Sequence, residues 1–157
     1  MIVREKRNYV FIQVVPPKGS DYMFDFLCEL FNPFIDSIWL AATTLFSLQN
    51  KHTGIIERNL VERAQWFGEK CYFEGVVAYF DATSKECIRT AFKLFDKWEV
   101  ITTDESSAVH LTDSYELNPE KLKDLVEKIN SFRRVSSSPP VSGSRLGASN
   151  FPVLARL

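Results

Sequence analysis

One stretch constrains this chain more than any other. From Ser37 to Asn50 fourteen consecutive residues carry no charge, between Asp36 and Lys51, shortly after a proline at position 33. Read as a helix from about Phe34 to Gln49, the stretch places Ile35, Ile38, Trp39, Ala42, Leu45 and Phe46 on a main stripe. Phe34, Leu40, Ala41 and Leu48 make the rest apolar too. A helix apolar on every side is a core element, an interdomain element or one lying against lipid. It is too short to cross a bilayer, which takes about 20 mainly apolar residues. Peripheral membrane contact through 34–49 therefore stands beside the core reading.

The remaining pattern surrounds that helix. Tyr9 to Val15 is β-branched and aromatic and stops at Pro16-Pro17, so it reads as one strand with no partner of its own. Ser20 or Asp21 caps a helix to Phe31, and Pro33 is expected to break it, lacking an N–H and disfavouring helix in the preceding residue. Ile56, Leu60, Ala64, Phe67 and Cys71 recur at helical spacing and predict a helix over 55–72, ended by Gly75. Val76 to Phe80 reads as a short strand, and Thr83-Ser84-Lys85-Glu86 as a capping box. The helix this box opens carries Ile88, Ala91, Phe92, Phe95 and Trp98 on one face. Strands at 99–103 and 108–112, joined by a polar turn at 104–107, make a hairpin. Asn118-Pro119-Glu120 starts a last helix, with Leu122, Leu125, Val126, Ile129 and Phe132 as its buried stripe.

The fold class is thus mainly α, of α+β type: a helical domain with a small β-hairpin and a winged-helix-like order over 55–133. Three segments are expected: an N-terminal strand and linker at 1–19, a helical domain at 20–134, and a tail at 135–157. The tail, with Val135-Ser-Ser-Ser-Pro-Pro-Val-Ser-Gly-Ser144, has no periodicity and little to bury, and reads as disordered. Thirteen Phe, five Tyr and three Trp supply the core.

Charge and cysteine content exclude several function classes. Nineteen basic against twenty acidic residues give a net charge of −1. That balance speaks against a strongly basic nucleic-acid binder, and the helix at 84–98 mixes Lys85, Arg89, Lys93 and Lys97 with Glu86 and Asp96. Cys28, Cys71 and Cys87 form no CxxC, so neither a disulfide framework nor a thiolate metal site is indicated. The N-terminus lacks the apolar run of a signal peptide, which points to an intracellular, non-secreted chain. Only two histidines exist. His52 stands five residues before Glu57, a spacing open to a base dyad, but in a loop broken by Gly54; His110 lies at a strand end. No glycine-rich phosphate loop and no Gly-x-Ser-x-Gly elbow is present. No catalytic, cofactor-binding or metal residue is assigned.

Three blocks carry a resemblance. Asn32-Pro33-Phe34-Ile35-Asp36-Ser37-Ile38-Trp39-Leu40 is similar to the segment opening the C-terminal domain of glycerol-3-phosphate and dihydroxyacetone phosphate acyltransferases. Gln65-Trp66-Phe67-Gly68-Glu69-Lys70-Cys71-Tyr72 and Tyr79-Phe80-Asp81-Ala82-Thr83-Ser84-Lys85-Glu86 resemble two later blocks of it, in consistent order over about 30–133. The resemblance marks Pro33, Phe34, Asp36, Ser37, Trp39, Gln65, Glu69, Tyr72, Ser84 and Glu86 as signature or interdomain positions. Such enzymes transfer a fatty acyl group from acyl-CoA to the acceptor hydroxyl, using a His-x-x-x-x-Asp dyad in a preceding catalytic domain. His52-x4-Glu57 departs from that dyad in residue and place, and Phe73-Glu74-Gly75 lacks the proline of the family's substrate block. The resemblance therefore implies an accessory domain, inactive alone, with the catalytic domain as partner. A winged-helix protein- or nucleic-acid-interaction module is the alternative.

The chain ends in Ala155-Arg156-Leu157, which fits the peroxisomal signal pattern of which Ser-Lys-Leu is the type, so the import receptor is a further expected partner. Arg133-Arg134-Val135-Ser136 also fits a basic-directed kinase site. Deleting Leu157 from a fluorescent fusion should disperse a punctate peroxisomal signal in cells; puncta that persist would remove the targeting role of the tripeptide.

Overall fold

The computed structural model describes residues 2–6, 9–13, 21–49 and 54–133. The tail at 135–157, its terminal tripeptide, His52 and the Pro16-Pro17 stop lie outside these. The described chain divides into two compact units, one ending at Phe31 and the other beginning at Asn32.

In the first unit the strand read as unpartnered has a partner. Strand β1 (Ile2–Lys6) pairs antiparallel with β2 (Tyr9–Gln13), Ile2 opposite Gln13 and Lys6 opposite Tyr9. The consecutive charges of Arg4, Glu5 and Lys6 hid β1 from an apolar search.

Helix α1 (Asp21–Thr44) runs through Pro33 rather than stopping there. Proline removes the bond to the carbonyl one turn back, at a cost of about 3 kcal/mol. Burial from Asp36 onward outweighs it: Leu40, Ala41, Ala42 and Leu45 are fully enclosed, and tertiary packing overrides local propensity. The helix ends in a 3₁₀ segment, Leu45–Leu48. The apolar-all-round stretch is therefore core, and of its larger apolar side chains Phe34 is the exposed one. The Thr43 and Thr44 hydroxyls, buried among apolar neighbours, donate to the carbonyls of Trp39 and Leu40 at 2.9 and 2.8 Å.

Beyond Gly54 the chain forms β3 (Ile55–Ile56), then α2 (Glu57–Phe73), α3 (Lys85–Lys97), β4 (Ile101–Thr103), β5 (Ala108–Leu111), α4 (Asp113–Glu116) and α5 (Pro119–Asn130). The sheet order is β3-β5-β4, all antiparallel, with Ile55 opposite Val109 and Ile101 opposite Leu111. Helix, strand, two helices and a hairpin whose second strand takes the centre is the winged-helix arrangement, and β3 completes it. The sequence reading absorbed Ile55 and Ile56 into the helix, because two residues are too few to show a period of two. Phe95, Leu60, Ile88, Val61, Val109 and Leu122 fill the centre of the core.

Further expectations are corrected. Residues 76–80 form no strand; Val77 is buried, and a 3₁₀ segment (Phe80–Thr83) follows. The α3 cap is Ser84, whose hydroxyl accepts from Cys87 N at 3.3 Å, while Thr83 Oγ1 donates to Phe80 O at 2.8 Å. Glu86 turns to Arg89 instead of closing a capping box. Phe132 and Trp98 are largely exposed at their helix ends, and Asn118 occupies the α5 cap position without a side-chain bond.

Helices α2 and α3 end alike. After α2, Val76 N bonds Cys71 O at 2.8 Å and Gly75 N bonds Tyr72 O at 3.0 Å; after α3, Val100 N bonds Phe95 O at 2.9 Å and Glu99 N bonds Asp96 O at 3.0 Å. Both are Schellman turns, which need a left-handed residue. Gly75 takes it at φ +74°, and Glu99 takes it at φ +56° with a Cβ. Replacing Glu99 by Gly should raise stability by up to about 1 kcal/mol, and Gly75→Ala should lower it by about 1 kcal/mol, measured by urea denaturation.

Candidate functional site

The opening block converges on one buried charge pair. Asp36 projects from α1 into the core, and Arg133, which follows the last turn of α5, meets it with Nε 2.7 Å from Oδ1; the two side chains are 6% and 5% exposed. Arg133 Nη2 donates to Val76 O at 2.6 Å, and Nη1 to Asn130 Oδ1 at 3.2 Å. Its guanidinium lies 3.8 Å over the Trp39 ring, which in turn leans on Phe67 at 6.2 Å between centroids. One planar fork thus ties α1, α5 and the loop after α2, a geometry open to arginine and not to lysine. Ser37 turns back to its own helix, its hydroxyl donating to Phe34 O at 2.8 Å.

The other signature residues do not join this cluster. Gln65 and Glu69 are half-buried on α2. Tyr72 belongs to an aromatic group at the end of α2, edge-on to Phe73 at 5.7 Å and to Phe80 at 5.3 Å. Ser84 caps α3, and Glu86 pairs with Arg89 at 2.8 Å on the exposed surface. Ala155, Arg156 and Leu157 lie outside the described residues. The three blocks therefore meet as a scaffold rather than as one pocket of reactive groups.

Arg133 and Val76 were missed by sequence reasoning, which saw in Arg133 only the start of a kinase motif. Ninety-seven residues separate Arg133 from Asp36, and no local period links them.

The wing between β4 and β5 brings a histidine, a carboxylate and a hydroxyl together, but in the wrong order for nucleophilic catalysis. Ser106 Oγ donates to Asp104 Oδ1 at 2.6 Å, while His110 Nε2 stands 3.5 Å from Asp104 Oδ2. The carboxylate occupies the middle, where a base would have to be the imidazole. The Ser106 hydroxyl, then the Ala108 N–H, hold the Asp104 carboxyl below the ordinary range. Cys71 is buried, and burial first, then Glu74, pushes its thiol up to about 12, which leaves it protonated and inert. Among the described residues no group of His, Cys, Asp and Glu is placed to hold a metal ion, and no helix is long and apolar enough to cross a membrane.

The family model describing the glycerol-3-phosphate acyltransferase C-terminal region matches residues 4–104. The chain belongs to this acyltransferase C-terminal family. Searches of curated proteins and of solved structures return no match. The family match begins before the block that carried the resemblance, taking in most of β1, and it ends between β4 and β5, short of Arg133.

Removing one partner of the buried pair leaves the other charged and unsolvated. Asp36→Ala should therefore cost about 3–5 kcal/mol, and the apolar pair Asp36→Leu with Arg133→Met should recover most of it, read by urea denaturation. The lowered Asp104 carboxyl stabilises the wing above the unfolded carboxylate pKa, and that contribution is lost as pH falls through its folded value. Amide exchange at Ser106 and Ala108 should accelerate relative to the core in that acid range.

Proposed function

We propose that this chain serves as the accessory C-terminal domain of an acyltransferase that moves a fatty acyl group from acyl-CoA to glycerol 3-phosphate or dihydroxyacetone phosphate in phospholipid and ether-lipid synthesis. It acts by packing on the catalytic domain, not by chemistry of its own. The observation that carries this reading is the use of the signature residues: Asp36 is consumed in a core ion pair, Trp39 in stacking under the guanidinium of that pair, and Ser84 in a helix cap. Residues kept for architecture suit a domain that positions something else.

A docking face supports the same reading. Tyr22, Met23, Phe26, Leu27, Leu30 and Phe31 recur at helical spacing along the first half of α1 and are all exposed. A contiguous apolar face of this kind marks a protein or membrane contact. By register Asp25 lies on the opposite side of the helix and Glu29 at the border of the apolar face, where helices that lie in membranes carry lysine and arginine instead. A protein partner fits better than lipid. The tripeptide Ala155-Arg156-Leu157 supports delivery to peroxisomes, where ether-lipid synthesis by this family would place it.

The sheet order favours one second reading, a winged-helix interaction module with α3 as its recognition helix. Salt-sensitive duplex binding at submicromolar concentration would support it over the accessory reading.

The accessory reading is tested by mixing the chain with the catalytic region of an enzyme of this family and following co-elution. Leu27→Asp with Leu30→Asp should weaken association at least about tenfold while leaving the denaturation midpoint of the chain unchanged. Acyl transfer from acyl-CoA by the purified chain alone would overturn it.

A further inference from the structure

A groove of about 320 Å³ runs between α1 and α3. Phe34, Ile38, Ala91 and Leu94 line it, so its floor is apolar. Lys93 and Lys97, one turn apart on α3, add the only formal charges among its lining residues. Neither lysine has an ion-pair partner among the described residues, whereas Arg58 and Arg89 on the neighbouring surfaces are paired with Glu62 and Glu86. Asp36, which flanks the groove wall on α1, is turned inward and held by Arg133; of the carboxylates flanking the α3 wall, Glu86 is paired with Arg89, and Asp96 forms no ion pair with either lysine. The lining runs along α3 from Cys87 to Lys97, about 15 Å at helical rise.

Apolar floor and unpaired cationic rim ask for opposite features in one ligand. A neutral apolar molecule would leave the lysines without counter-charge, and a free anion would leave the floor wetted. The volume lies at the small end of ligand sites and suits a slender chain rather than a fused ring system or a whole helix. We propose that this groove binds a single-chain anionic amphiphile, a carboxylate or phosphate carrying one alkyl tail. The tail lies over Phe34, Ile38 and Leu94, and the head is held by the ammonium groups of Lys93 and Lys97. No bond is made or broken; the site is a holding site.

The test uses the full chain and pyrenedodecanoate as a fluorescent probe, titrated below its micelle concentration. Saturable binding, displaced by dodecyl phosphate and not by dodecyltrimethylammonium or inorganic phosphate, is expected. Lys93→Gln and Lys97→Gln should each weaken it about tenfold, with unchanged denaturation midpoints because both side chains are exposed. Cys87 lines the same groove and reports location. In a Cys28→Ser background, dodecyl phosphate should slow maleimide labelling at Cys87. Equal competition by the cationic detergent, unchanged affinity in the double lysine variant, or no protection of Cys87 would overturn the proposal. So would binding to anionic phosphatidylglycerol vesicles without binding of the monomeric probe, which would make the surface a bilayer contact.

Discussion

The Asp36–Arg133 pair is the interaction on which the second unit depends. A charge pair withdrawn from water costs several kcal/mol per ion and is repaid only if its remaining donors are satisfied. Here they are: one nitrogen meets the carboxylate, one the Val76 carbonyl, one Asn130, and the flat face rests on Trp39. Its contribution is best read as specificity. An apolar contact would tolerate α5 sliding along α1, whereas a planar fork with three acceptors admits one register. The loop after α2 is fixed by the same group, so the turn made possible by Gly75 is held from both sides.

Around that pin the second unit packs its helices and a small sheet closely. Gly68 shows how little: a Cβ there would stand 2.9 Å from Leu40 Cδ1 and 3.1 Å from Thr83 Cγ2, so α1, α2 and the 3₁₀ segment before α3 meet at a residue that must be small. The Gly68 and Trp66 of the second family block thereby acquire different roles. One allows the approach of α1, and the other faces solvent beneath the Lys70 ammonium, 3.6 Å from the ring centroid.

The elements legible in the sequence are those whose apolar spacing is long and regular. Helices α2, α3 and α5 and the β4–β5 hairpin could be read because Leu60, Ala64, Phe67 and Cys71, or Ile88, Ala91, Phe92 and Phe95, keep a period for several turns. Strand β3 has no room for a period. Strand β1 carries its charges on residues that a search for apolar alternation rejects. Pro33 misled for a different reason: a local penalty was weighed without the burial of Leu40 through Leu45, which only the folded chain supplies. Asp36 was singled out from the family blocks as a signature or interdomain position. Its partner, ninety-seven positions away, decides that it faces inward.

The point where the family match stops has a consequence for where this domain can be cut. Residue 104 falls in the turn between β4 and β5, and β5 is the middle strand of the sheet. A fragment ending there keeps Ile55-Ile56 and Ile101–Thr103 without the central strand to which both are paired. It would also retain Asp36 without its counter-ion and Trp39 without its lid. The central strand and the counter-ion of Asp36 therefore both lie beyond the boundary that sequence similarity draws.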